Sequence, residues 1–324
     1  MKAVVASSVV ALALAVSANA AKAADYETDR AIQDLVVSGV VESWTGVTFI
    51  SNPEGNVEPD QDEFLASGLS GRLSLPLGEN LSIQSDVDFE YGSTAFSGEF
   101  SSDTFEYALQ FGAHLSWRDP SRGLFGAFGG FGAGRGDDNT DGGQEDPNTQ
   151  NTQFWFVGGE GQYYTEDLTF YLQAGFMDSE DDEFPGDGND AFRDAAFVRG
   201  VGRWFISPNT RLQLEAAFAD GKTDNENSND AQIIEWGVRF DTVLEGLPVI
   251  GDTAVFVGYR GNHYRRDLQA DDDEEEDTKY TDHTIMVGTS YHFGGTTRKE
   301  FERTGAGLDL PNFGRWSAAG ENID

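Results

Sequence analysis

The chain is 324 residues long, contains no cysteine and carries a formal net charge of −36. Without cysteine, disulfides, thiolate metal centres and thiol redox chemistry are excluded. The acidity argues against nucleic acid as a partner, because a polyanion would be repelled, and against a basic juxtamembrane anchor.

Met1 to about Ala23 reads as a secretory signal peptide: Lys2, an apolar core from Val4 to Val16, then the small-residue patterns Ala18-Asn19-Ala20 and Ala21-Lys22-Ala23. The apolar core is too short to span a bilayer comfortably, so it is expected to be cleaved. Nothing later is apolar for long enough to form a transmembrane helix, so a membrane-embedded chain would have to cross as strands.

After a polar lead, residues 24 to 34, twelve strand-like segments follow: 35 to 49, 64 to 75, 81 to 91, 105 to 118, 122 to 134, 153 to 164, 168 to 177, 195 to 206, 210 to 219, 232 to 244, 252 to 262 and 283 to 293. The fourth is the clearest. Read with a period of two, it sets Phe105, Tyr107, Leu109, Phe111, Ala113, Leu115 and Trp117 against Glu106, Ala108, Gln110, Gly112, His114, Ser116 and Arg118. Successive side chains of a strand point to opposite faces, so this segment divides an apolar medium from an aqueous one. The third and tenth alternate in the same way, with Leu81, Ile83, Val87, Phe89 and Tyr91 on one oily face and Ile234, Trp236, Val238 and Phe240 on the other. The fifth, LFGAFGGFGAG, is too rich in glycine for its faces to be assigned, and the first is ambiguous.

The connections sort by length. Those after the even-numbered segments are short or turn-like (76 to 80, 119 to 121, 165 to 167, 207 to 209 and the longer 245 to 251), whereas those after the odd-numbered ones are long and rich in Asp and Asn. The six long loops carry net charges of −5, −2, −4, −7, −3 and −6, or −27 of the chain's −36. Short periplasmic turns and long extracellular loops are the pattern of an outer-membrane barrel, and an even strand count returns both termini to the periplasmic side. The fold expected is therefore an all-β transmembrane antiparallel up-and-down barrel of about twelve strands, residues 35 to 294, with acidic extracellular loops. Trp117, Trp204, Tyr291 and Phe293 below, and Phe105 and Tyr107 above, would form its interfacial girdles.

The twelfth segment ends with Gly288, Tyr291 and Phe293. That spacing resembles the final-strand signal read by the barrel assembly machinery, and over about residues 35 to 293 the chain resembles porin-like Gram-negative outer-membrane β-barrel proteins. It departs from them in that some thirty residues follow the terminal aromatic. This tail, 295 to 324, has no alternation and would either hang in the periplasm or fold into the lumen as a plug.

If the apolar faces meet lipid, the opposite faces line the lumen. Acidic residues gather on one side of the ring, Asp86, Asp88, Glu90, Glu106 and Glu160, and basic residues on the other, Arg199, Arg203, Arg211, Arg239 and Arg260. Such facing walls resemble the transverse field of a porin constriction, which admits hydrated ions and polar solutes. Arg72 and Arg118 on the acidic side, and Glu215, Glu235 and Asp241 on the basic side, break the segregation. The bland alternative is that these charges pair across a filled lumen and conduct nothing.

Asp137, Asn139, Asp141 and Gly142, with Glu145 at the ninth position, match part of a calcium loop, but Asn148 stands where a bidentate Glu is required. Weak binding of calcium or magnesium to the whole acidic rim, including Asp271 to Asp277, is the broader expectation, and no other cofactor is indicated. His114 and Ser116 have the His-x-Ser spacing of outer-membrane phospholipase A, yet they lie on the wet face and are followed by Trp117-Arg118 in place of Asn-Gly. The chain is thus read as a non-enzymatic, cation-preferring porin for small hydrophilic solutes and ions. Its expected partners are outer-membrane lipid, lipopolysaccharide and the assembly machinery, and the oligomeric state is left open. The rival reading is a non-conducting structural or adhesive surface barrel whose acidic loops bind divalent cations, lipopolysaccharide or a partner.

Overall fold

A computed structural model describes residues 37–54, 63–93, 105, 107–135, 152–181, 191–223, 229–244, 253–267 and 278–320. The expected signal peptide and lead, Glu106, the candidate calcium loop and Asp271 to Asp277 lie outside the described residues. The strands are β1 (Ser38–Glu54), β2 (Glu63–Pro76), β3 (Leu81–Ser93), β4 (Tyr107–Asp119), β5 (Gly123–Arg135), β6 (Thr152–Tyr164), β7 (Leu168–Asp181), β8 (Phe192–Ser207), β9 (Thr210–Thr223), β10 (Asp230–Val243), β11 (Thr253–Asp267) and β12 (Thr278–Phe293). Each pairs antiparallel with its neighbours in sequence, and β1 pairs with β12 from Gly39↔Phe293 to Ile50↔Asp282, closing the barrel. Closure leaves no strand edge unpaired, which a bilayer requires.

Several strands run further into the long-loop end than their alternation suggests; β12 begins at Thr278 where alternation marks 283, and β1 continues to Glu54 where it marks 49. Ladder bonds continue there, but once both faces are wet the residue pattern no longer reports the strand. At the other end the turns are tight. Between β4 and β5, Ser121 donates its backbone N–H (2.9 Å) and its hydroxyl (2.6 Å) to the Asp119 carboxylate, an Asx-type turn. Between β6 and β7, Thr165 N–H donates to the Leu168 carbonyl at 2.8 Å.

Alternation holds along the walls. On β4, Gln110, His114, Ser116 and Arg118 are buried inside, while Phe111, Leu115 and Trp117 lie exposed outside. Glycine-rich β5 resolves in the same way, with Leu124 and Phe128 inside and Phe125 and Phe131 outside. Exposed Phe, Leu, Trp and Val side chains on successive strands form an apolar belt far larger than a soluble surface tolerates. Trp117, Trp204 and Tyr291 stand on this outer face toward the short-turn end, as a girdle requires. Phe105 does not: it is buried inside against Phe64, with the Arg315 guanidinium 4.3 Å from its ring. It precedes β4 and so escapes that strand's alternation.

Beyond β12 the chain turns back into the barrel. Gly294, at φ +83°, makes the reversal; a Cβ there would come within 2.6 Å of the Ser38 Cα. Helix α1 (Arg298–Thr304) follows, begun by the Thr297 hydroxyl, which accepts from the Glu300 N–H at 3.1 Å. It lies across the short-turn mouth: Lys299 N–H donates to the Pro208 carbonyl (3.0 Å), Lys299 Nζ meets Asp167 (3.0 Å), and Arg303 donates to the Thr165 carbonyl (2.5 Å). Residues 305–312, bent at Gly305 and Ala306, run through the lumen outside any helix or strand, and helix α2 (Phe313–Gly320) packs against β4, β5, β6 and β8.

Candidate functional site

The barrel's apolar core is inside it, and the tail supplies its centre. Phe313 stacks on Phe156 with ring centroids 4.2 Å apart and meets Phe197 edge-on at 5.0 Å; Trp316 lies against both Phe197 and Phe313. Trp316 donates its indole N–H to Glu235 Oε2 at 3.2 Å, so its polar tip is satisfied at depth. Gly134 of β5 makes room for this helix: a Cβ there would meet the Gly314 carbonyl at 2.6 Å and Ser317 Oγ at 2.7 Å. A composition that hides the strand's faces in sequence is what admits the helix in structure.

Around residues 305–312 the wall is charged. Arg199 reaches Asp309 Oδ1 (2.7 Å), Glu215 (2.7 Å) and Gln173 (2.9 Å). Arg203 reaches Asp309 Oδ2 (2.6 Å), Gln213 (3.0 Å), the Gly307 carbonyl (2.8 Å) and Glu302. Arg211 pairs with Asp241 (2.9 Å) and Glu302 (3.1 Å). Arg239 holds Glu42 by two bonds of 2.6 Å, and Arg260 holds Glu90 by bonds of 2.7 and 3.1 Å. Two-pronged guanidinium–carboxylate contacts of this kind are among the stronger charge-assisted hydrogen bonds. From the tail, Arg315 reaches Glu90 (3.3 Å) and Asp282 (3.0 Å), and Arg298 reaches Asp241 (2.9 Å).

All five lumenal arginines read from the sequence thus point inward, as do Asp86, Asp88, Glu90 and Glu160. They do not form two bare walls: Glu90 on β3 is bridged to Arg260 on β11, and Asp309 stands between Arg199, Arg203 and, at 4.0 Å, Arg72. Burial alone would push the Asp309 carboxyl up, but Arg199, Arg203 and Arg72 hold it well below the usual carboxylate range. Sequence reading missed Glu42, on the ambiguous first strand, and the tail's Arg298, Glu302, Asp309 and Arg315, which no alternation marks.

His114 is fully buried, with Nδ1 2.9 Å from Glu160 and Nε2 3.0 Å from Asp86. Ser116 instead faces the Ser82 hydroxyl at 3.0 Å, so the His-x-Ser spacing does not become a histidine–serine pair. Among the described residues no group of three acidic or histidine side chains is arranged to hold a metal ion. Gly288 faces inward beneath the Phe256 ring, while Tyr291 and Phe293 share the other side with centroids 6.4 Å apart. Water-sized space remains beside the tail. A cavity of about 180 Å³ is bordered by four carboxylates, Glu42, Asp88, Glu215 and Asp309, and four guanidiniums, Arg72, Arg199, Arg239 and Arg260. A second, of about 130 Å³, lies between Asp88, Glu90, Trp44 and Asn312.

A closed twelve-stranded barrel that is apolar outside and polar inside is an outer-membrane transmembrane barrel of porin-like architecture. Among solved structures the chain is similar to an outer-membrane channel from Pseudomonas putida F1, with a TM-score of 0.46 and 16% identity over 83% of this chain and 98% of that one. It is also similar to a TodX mutant described as a monoaromatic hydrocarbon channel (TM-score 0.41, 9% identity, 83% and 95% covered). A third similar structure is the outer-membrane channel DcaP of Acinetobacter baumannii (TM-score 0.37, 12% identity, 80% and 97% covered). No protein-family model matches the chain, and no curated protein sequence does.

Proposed function

We propose that the protein is a passive channel of the Gram-negative outer membrane for small hydrophilic solutes and ions, narrowed by its own C-terminal tail. The observation that carries this reading is the charged cavity of about 180 Å³ beside residues 309 and 310. Space lined by ionised groups holds water and lets hydrated solutes replace it. Carboxylates and guanidiniums balance around that cavity, so it has no reason to prefer one sign of ion. The cation preference is assigned to the acidic outer loops, which would concentrate cations at the entrance.

The bidentate pairs across the lumen and the aromatic seat of α2 favour a second reading, a barrel that is closed at rest. Single-channel conductance of the refolded protein in a planar bilayer under a salt gradient separates the two. Steady conductance with a cation-biased reversal potential supports the channel as stated. Silence in the full chain, with conductance once the tail is released, makes the tail a gate. Silence in both states sinks the channel and leaves the outer loops as a binding surface.

A further inference from the structure

Between residues 305 and 311 the wall grips the tail largely by its main chain. Within residues 305–311, five carbonyls receive side-chain donors from the barrel. Arg118 donates to Gly305 (2.6 Å), Arg203 to Gly307 (2.8 Å), Gln84 and Arg72 to Leu308 (2.9 and 3.2 Å), Gln173 and Tyr171 to Asp309 (2.9 and 3.1 Å), and Gln110 to Pro311 (3.0 Å). Two of these are two-point contacts. The Gln84 amide also accepts the Leu308 N–H at 3.3 Å, and the Gln110 amide accepts the Gly314 N–H at 3.3 Å.

Arg118 makes the point most sharply. It is buried, and among the described residues its one side-chain hydrogen bond goes to the Gly305 carbonyl, leaving Nε and Nη2 unpartnered. Among the described residues no carboxylate hydrogen-bonds to it, and the direct bond of its guanidinium is to a peptide carbonyl. A buried guanidinium without a partner is costly, and the tail is what relieves that cost. Side-chain selection is confined to few positions: Asp309 between Arg199 and Arg203, and the buried Leu308 and Leu310 beside it. Gly305 and Gly307 present main chain alone.

We propose that the lumen is a binding site for peptides held by their carbonyls around one acidic residue, and that residues 305–311 are its resident occupant. The ligand class is a short peptide that offers consecutive carbonyls and one Asp or Glu between apolar neighbours. Main-chain bonds would supply affinity, and the Arg199–Arg203 pair would supply selection, the division of labour usual in recognition of extended peptides. This rests on the lumen being reachable from solution, as the channel reading requires. In the intact chain a tethered tail competes at an effective concentration in the millimolar range, so a free peptide is excluded until the tether is cut.

The test uses the full chain with a protease recognition sequence inserted between Gly295 and Thr296, folded first and cut afterwards. The probe is a fluorescent synthetic peptide of residues 303–318, read by anisotropy. The cut protein should exchange its tail for the probe, while the uncut protein takes up none. Asp309→Asn in the peptide should weaken binding at least about tenfold, as loss of a charged hydrogen-bond partner does. Replacing the Leu308–Asp309 amide by an ester, which weakens the Leu308 carbonyl as an acceptor for Gln84 and Arg72 and alters no side chain, should weaken it several-fold. Retention of the cut tail against excess probe, with no label bound, overturns the proposal. Uptake indifferent to the ester overturns main-chain recognition. Conductance of the same cut and uncut proteins is scored separately: ions can pass without peptide exchange, and peptide can exchange in a silent barrel, so the two readings fail independently.

Discussion

Replacing Asp309 by Asn isolates the latch between tail and wall. The carboxylate makes charge-assisted bonds to Arg199 (2.7 Å) and Arg203 (2.6 Å), and its side chain is 22% exposed, so water screens it only partly. Truncating one partner of a buried pair costs about 3–5 kcal/mol when the other charge is stranded. Neither arginine would be stranded, because Arg199 keeps Glu215 and Gln173, and Arg203 keeps Glu302 and Gln213. The expected loss in tail docking is therefore about 2–3 kcal/mol, near the value of one or two hydrogen bonds to charged groups. That corresponds to roughly a 30- to 150-fold rise in the undocked fraction. Hydrogen exchange of the 305–318 amides, followed by mass spectrometry in detergent, reads this directly. Exchange there should accelerate by that factor while the strand amides keep their protection. Unchanged tail exchange, or equal acceleration in the strands, would refute the reasoning.

Since the Asp309 carboxyl is held below its ordinary range, its contribution is complete above the usual carboxylate pKa near 4 and fades only as pH falls through the lower folded value. The difference in tail docking between wild type and Asp309→Asn should accordingly stay constant from about pH 8 to about pH 4, and its collapse between pH 6 and pH 5 would contradict the arginine cradle. Gly314→Val places a Cβ 2.6 Å from that of Ala108, so α2 should be displaced at a cost of about 1–3 kcal/mol; tail exchange and conductance rise without a change in barrel unfolding. Leu172→Arg sets a charge on the exposed outer face of β7 and should cost the barrel about 2–4 kcal/mol in lipid at mid-membrane depth, measured by denaturant titration in liposomes. Replacing both Arg199 and Arg203 by Ala should increase cation selectivity in a conducting barrel; lost stability with conductance unchanged would instead identify a closed one.

How much was legible depended on which medium each face meets. β3, β4 and β10 separate lipid from a polar lumen, so their alternation is clean and places Asp86, Arg239 and their neighbours correctly. Ion pairing across the lumen is not readable in this way, because Glu42 and Arg239 are 197 residues apart and meet only when β1 closes on β12. β5 resisted because its inward glycines make room for groups from elsewhere, Gly130 and Gly132 for the Phe156 and Phe154 rings of β6 and Gly134 for a helix that comes from the far end of the chain. The tail resisted for another reason. Its α1 has seven residues and α2 eight, each about two turns, too short for a helical period to stand out in the sequence. Asp309, which pairs with three arginines of the wall, follows a Gly-Leu pair in a stretch without periodicity.

The reversal at Gly294 falls after the last residue of the closing seam, since Phe293 pairs with Gly39 and the tail takes no part in any ladder. Every strand-to-strand bond can therefore form before a single residue of the plug is in place. Erecting the wall and furnishing its interior are separable events in the history of each molecule. The barrel can be inserted and sealed as an empty cylinder, then occupied through the mouth from which its own C-terminal segment hangs.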